Sequence, residues 1–100
     1  MITLTAMYPN TEGSTFDFDY YLSTHSPLVA GFLGDALVRA TVSKGEDFAG
    51  ESTPYMCVSI LEIDSMESLG AAFAAHGADI MGDIPNFTNV QPTMHVGNVL

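Results

Sequence analysis

Two periodicities alternate along this chain, and their order constrains the fold more tightly than any other feature. Ile2 to Tyr8 places Ile2, Leu4, Ala6 and Tyr8 at every second position, the pattern of a strand with one buried face. Leu37 to Lys44 and Tyr55 to Ile63 are similar, and Val90 to Leu100 closes the chain. Between them the apolar residues switch to helical spacing. Phe18, Tyr21, Leu22, His25, Leu28, Val29 and Phe32 share one face, as do Met66, Leu69, Phe73, His76 and Ile80. The order strand, helix, strand, strand, helix, strand predicts an α+β fold over residues 1–100, a single domain of the ferredoxin-like βαββαβ kind. Its antiparallel four-stranded sheet carries both helices on one face. No residue-level repeat relates the two halves.

The third strand adds a second constraint. Tyr55, Cys57, Ser59, Leu61 and Ile63 point one way and Met56, Val58 and Ile60 the other, so both faces are mostly apolar. Two helices cover only one of them. The other face is expected to pack on a second copy, giving a homodimer through the sheets. Helix starts are signalled by Ser14 with Asp17 three residues on, and by Asp64 with Glu67. The acidic, glycine-containing stretch Gly45 to Ser52 is expected to be a mobile connection.

Pro27 is the strongest local anomaly. It has no N–H for the carbonyl of Ser23, and its ring crowds that turn. Ser26-Pro27 also resembles a fresh N-cap followed by proline at the first helical position. The first helix is therefore expected to break or kink just after His25, leaving freed backbone groups beside an imidazole.

Charge and composition exclude several partners. Twelve acids face only two bases, Arg39 and Lys44, for a net charge of −10. Nothing in the chain neutralises a run of phosphates, which argues against nucleic acid, and an anionic membrane surface attracts the opposite charge. No stretch approaches the ~18 apolar residues of a membrane span. No basic start marks a signal peptide, and Tyr8-Pro9-Asn10 interrupts the first apolar run, so a cytoplasmic location is expected. Cys57 is the sole cysteine, in an apolar strand, and is expected to be inert. The three histidines fall on three elements without metal-ligand spacing, and no phosphate-binding glycine motif is present, so neither metal nor cofactor is expected.

The segment Phe16-Asp17-Phe18-Asp19-Tyr20-Tyr21-Leu22-Ser23-Thr24-His25-Ser26-Pro27-Leu28 resembles the F-x-x-x-Y-Y-x-x-x-H-x-P-L signature of the EthD family. Tyr8-Pro9-Asn10 is similar to that family's exit from strand one. The run from Phe73 through His76 to Asp79-Ile80-Met81-Gly82-Asp83-Ile84-Pro85-Asn86-Phe87-Thr88 is similar to its second helix and entry into strand four. The resemblance implies the dimeric α/β-barrel group, in which two ferredoxin-like sheets close into a barrel. EthD proteins are associated with ethyl tert-butyl ether degradation, and the wider group includes cofactor-free monooxygenases, polyketide cyclases and lactone isomerases. It further implies a cavity between sheet and helices for a small hydrophobic or aromatic metabolite. The chemistry there would be cofactor-free proton transfer, cyclisation or oxygenation in a catabolic or secondary-metabolite pathway. The alternative is a non-catalytic binding accessory to a partner oxygenase. Iron enters only by distant analogy.

His25 matches the family's histidine and is the candidate base, acid or hydrogen-bond donor, although tying down a helix break is an equally good role for it. Tyr21, four residues earlier on the same face, is the candidate second catalytic group, with plain core filling as its alternative. Tyr8, Phe18, Phe32, Phe73 and His76 are the candidate substrate-binding residues. The three phenylalanines also suit a core, and His76 suits a core stripe with Asp79 to orient it. His95, on the last strand, is expected at an interface or in the barrel interior.

Overall fold

A computed structural model describes all 100 residues, Met1–Leu100. Four strands, β1 (Ile2–Pro9), β2 (Leu37–Lys44), β3 (Tyr55–Ile63) and β4 (Thr93–Asn98), form one antiparallel sheet in the order β2-β3-β1-β4. α1 (Phe18–Tyr20), a π-helical turn (Tyr21–His25) and α2 (Ser26–Leu33) run on as one helix, and α3 (Met66–Asp83) is the second. This is the ferredoxin-like βαββαβ arrangement, with the helices on one face. No helix is long and apolar enough to cross a membrane.

Register explains which side chains meet. Ile2 pairs with Ile63, Leu4 with Leu61, Ala6 with Ser59 and Tyr8 with Cys57, so these eight share the helix-facing side. They feed two adjoining clusters. One is aliphatic, built on Ile2, Leu4, Val29, Leu33, Ile63, Leu69, Ala72 and Ile80. The other is largely aromatic, built on Tyr8, Tyr21, Cys57, Ile84 and Phe87. The opposite side of the sheet carries Thr3, Thr5, Met7, Val58, Ile60 and their neighbours, and no element of this chain covers it.

Local chemistry sets the element ends, and here the structure departs from expectation. Asp17, not Ser14, caps the first helix, accepting from the Tyr20 N–H at 3.0 Å. Ser14 instead closes a turn onto the Thr11 carbonyl at 2.7 Å. Ser65, not Asp64, caps α3 by accepting from Ser68 N–H at 3.1 Å. β4 is shorter than its apolar residues suggest. Val90 packs on the aromatic cluster outside the sheet, and Val99 and Leu100 lie exposed beyond its end.

Pro27 does not break the helix. Ser26 keeps helical angles (φ −61°, ψ −45°) rather than those of a fresh cap. Its N–H reaches five residues back to the Tyr21 carbonyl, which makes the turn before it π-helical. Widening the turn by one residue absorbs the missing donor and the ring without interrupting the chain. The connection between β2 and β3 closes on itself at its tip. Phe48 and Glu51 exchange both backbone bonds at 3.0 Å around Ala49 (φ 53°) and Gly50 (φ 80°), a tight turn with both central residues left-handed.

Candidate functional site

The π turn places its two ends on the same inner side of the helix. Tyr21 and His25 are the turn's two buried residues, at 4% exposure each, while the three between them face solvent. Their rings lie 5.2 Å apart, and the His25 ring is 4.6 Å from that of Phe87. Tyr8 comes up from β1 and meets Tyr21 edge-on at 6.0 Å.

A carboxylate from the far end of the chain completes the group. His25 Nδ1 lies 2.9 Å from Asp83 Oδ2, the last residue of α3. The Tyr20 hydroxyl donates to Asp83 Oδ1 at 2.7 Å and the Asn86 amide donates to the same oxygen at 3.0 Å. Burial pushes the Asp83 carboxyl up, but the bonds from Tyr20, Asn86 and His25 outweigh it and hold it below the ordinary carboxylate value. The bond to Asp83 raises the Tyr20 phenol in turn.

A carboxylate only accepts, so Nδ1 carries the proton and neutral His25 presents a lone pair at Nε2. No protein group bonds Nε2, yet no sealed side-chain atom in the molecule lacks a partner. Nε2 therefore meets accessible space.

That space is an apolar pocket at the seam of the two clusters. Leu4, Val29, Leu61, Phe73, Ile80, Ile84 and Met94 form most of its walls, and Tyr8, Tyr21, His25 and Ser59 supply its polar end. Burial raises the Tyr8 and Tyr21 phenols, and pushes the Cys57 thiol behind them up to about 11. The neighbouring Ser59 and Tyr8 hydroxyls partly offset the rise at Tyr21. The cavity measures about 40 Å³, against roughly 150 Å³ for an apolar cavity that takes benzene, so it holds a few waters as it stands. An open groove of about 340 Å³ adjoins it, bounded by Leu69 and Val96. Met81 and Met94 line both, and each is about two-fifths exposed. Leu4 and Phe73 line both as well, and the two methionines are the flexible part of this shared wall.

Of the residues singled out in the sequence, Tyr8, Tyr21, His25 and Phe73 come together around this pocket. Phe18 lies outside its lining, packed on Phe16 at 4.6 Å with Lys44 Nζ 5.4 Å above its ring. Phe32 and His76 stack on each other between α2 and α3, rings 3.9 Å apart and within 3° of parallel. His76 is partly exposed there, 4.0 Å from Asp79, and does not line the pocket. His95 points to the uncovered sheet face, beside Gly97. Sequence reasoning missed Asp83, Tyr20, Asn86 and Ser59. One signal existed for Asp83: a carboxylate in the last turn of a helix meets the negative end of the macrodipole, so it calls for another reason to be there. No three His, Cys, Asp or Glu side chains gather as metal ligands would.

Neither a protein-family profile nor a curated sequence matches the chain. Solved structures do. An EthD-like protein from Ralstonia eutropha JMP134 is 38% identical with a TM-score of 0.92, over 99% of this chain and 91% of that one. An ethyl tert-butyl ether degradation (EthD) family protein from Bacillus halodurans C-125 is 24% identical with a TM-score of 0.72, over 100% and 99%. A mutant of SnoaB, a cofactor-independent oxygenase from Streptomyces nogalater, shares the fold at 12% identity and a TM-score of 0.66, over 98% and 91%.

Proposed function

The chain belongs to the EthD-like family, and we propose that it binds a small hydrophobic or aromatic metabolite in the pocket between helices and sheet, with His25 as the group that moves a proton there. The observation that carries this reading is the His25–Asp83 contact at the pocket wall. A histidine oriented through Nδ1 by a carboxylate, with Nε2 facing an apolar space, has the arrangement of a general base. Tyr21 stands beside it as donor to a ligand oxygen, and Tyr8 and Phe73 contact the ligand's body. Phe18, Phe32 and His76 support the walls from behind. SnoaB provides a precedent within this fold for oxygenation without a cofactor.

Admitting a ring requires Met81 and Met94 to swing aside and join the pocket to the groove. The working form is a homodimer through the uncovered sheet face. Among strand residues that face carries only the Arg39–Glu62 pair, one charge of each sign, on a chain with a net charge of −10. Depletion of charge of this kind marks an interface core.

A second reading, a carrier that serves a partner oxygenase without turnover of its own, is favoured by the walls, since 11 of 15 lining residues are hydrophobic. Turnover by the pure protein excludes it. The pocket reading is tested by ligand-observed NMR with phenol, indole and naphthol against the wild type and Ala6→Leu, which fills the cavity. Binding to the wild type and its loss in the variant is expected. Equal binding by both sinks the reading.

A further inference from the structure

The ligand class follows from which polar groups the pocket has and which it lacks. Neither of the chain's two bases serves it. Arg39 is on the uncovered face with Glu62, and Lys44 sits over Phe18, outside the lining. A pre-formed anion entering this pocket meets no cation and must approach a chain of net charge −10. A wholly apolar ligand leaves Nε2 and the phenolic hydroxyls without partners.

Three hydroxyls line the pocket, those of Tyr8 from β1, Tyr21 from the π turn and Ser59 from β3. Tyr21 is the one whose ring lies beside that of His25, 5.2 Å away, and its O–H has no acceptor among the protein's hydrogen bonds. The pocket thus offers an acceptor, His25 Nε2, and beside it a donor, the Tyr21 O–H.

We propose that the ligand is a neutral weak acid with an apolar body, a phenol or an enolisable carbonyl compound, which ionises in the pocket by passing its proton to His25. This rests on the pocket reading above. In the step, the ligand's O–H (or α C–H) bond breaks and an N–H bond forms at Nε2. The electron pair stays on the ligand, its oxygen accepts from Tyr21, and the imidazolium is paired at Nδ1 with the Asp83 carboxylate. No net charge enters the site, and both ions formed are hydrogen-bonded, which is the condition for ionisation in a low-dielectric space. The titratable groups around His25 are Asp83 at the end of α3, Tyr20 and Tyr21 of its own helix, and Tyr8 of β1, which shares the pocket lining with it.

The test uses 4-nitrophenol, whose ionised form has its own long-wavelength absorption band. Equilibrium dialysis measures binding and absorbance measures the ionised fraction of the bound probe, at a pH where the free probe is mostly neutral. The wild type is expected to bind it largely as phenolate. Asp83→Asn and Tyr21→Phe are expected to bind it still, with the ionised-to-neutral ratio at least about tenfold lower, as loss of an opposite charge or of a donor dictates. His25→Gln, which keeps a hydrogen-bonding side chain, is expected to bind only the neutral form. Far-UV circular dichroism establishes that each variant is folded. A probe bound to the wild type as neutral phenol overturns the proposal and leaves the pocket reading standing. So does an ionised fraction unchanged in all three variants. Absence of binding to the wild type overturns both.

Discussion

A carboxylate at the C-terminal end of a helix costs about 0.3–1 kcal/mol against the macrodipole unless something offsets it. Asp83 is offset three ways, by Tyr20, Asn86 and His25. Charge-assisted hydrogen bonds of this kind contribute about 1.5–3 kcal/mol each when a partner is buried. The carboxyl is held below its ordinary value, so its contribution is full at pH values above the ordinary Asp value of about 4 and disappears as pH falls through the folded one. Asp83→Asn is therefore expected to lose about 2 kcal/mol at pH 7, and the gap to the wild type to close in strong acid. Urea unfolding of both proteins at pH 7 and well below pH 4 measures this. A gap of the same size at both pH values would mean that the ionised bonds are not its source. Nothing near His25 in the sequence announces Asp83. The two lie 58 residues apart, on elements whose packing only the folded chain settles. Ser59 was legible as a strand residue facing the helices, but its role depends on Tyr21 being across from it.

Among the elements, β2 and β3 have the bounds their alternation predicts; in β3 the buried Cys57, Ser59 and Ile63 lie on one face, while β2, at the sheet edge, is mostly exposed. The helix caps shifted by one to three residues, since Ser, Asp and Thr crowd both starts and only geometry selects among them. Ser26-Pro27 located the irregularity of the first helix but not its form. A missing N–H can be met by a break or by one added residue in a turn, and the chain takes the second course. The extra residue has a consequence that can be measured. Deleting Thr24, an exposed residue of the π turn, removes the added residue and returns the turn to α spacing with its two ends, Tyr21 and His25, in place. The Pro27 ring then meets the carbonyl four residues back. The deletion is expected to cost about 3 kcal/mol in urea unfolding, as a proline inside an α-helix does, and adding Pro27→Ala to recover most of it. Unchanged stability would show that the π turn is not what accommodates Pro27.

For the whole molecule the decisive quantity is how little one chain buries. Only 16 of 100 residues are buried, and the sheet has helices on one side alone. The row Thr41, Ile60, Thr5, His95 crosses all four strands on the other side without a charge if His95 is neutral, and Ile60 at its centre is 37% exposed. The apolar residues of β3 on both faces made this legible in the sequence, because a strand solvated on one side has no reason to place Met56, Val58 and Ile60 there. If a second copy covers the face, folding and association are linked, and the thermal midpoint rises with protein concentration. Ile60→Glu sets a carboxylate at the centre of that face in each copy with no cation to pair it, since Arg39 is engaged by Glu62. It is expected to halve the mass measured by light scattering, remove the concentration dependence and lower the midpoint by several degrees, as a loss of about 1 kcal/mol does in a 100-residue chain. Thr41→Glu, in the same row on the edge strand, is expected to do so less completely. A wild-type mass of one chain across the micromolar range, with a midpoint independent of concentration, would leave the uncovered face to some other occupant.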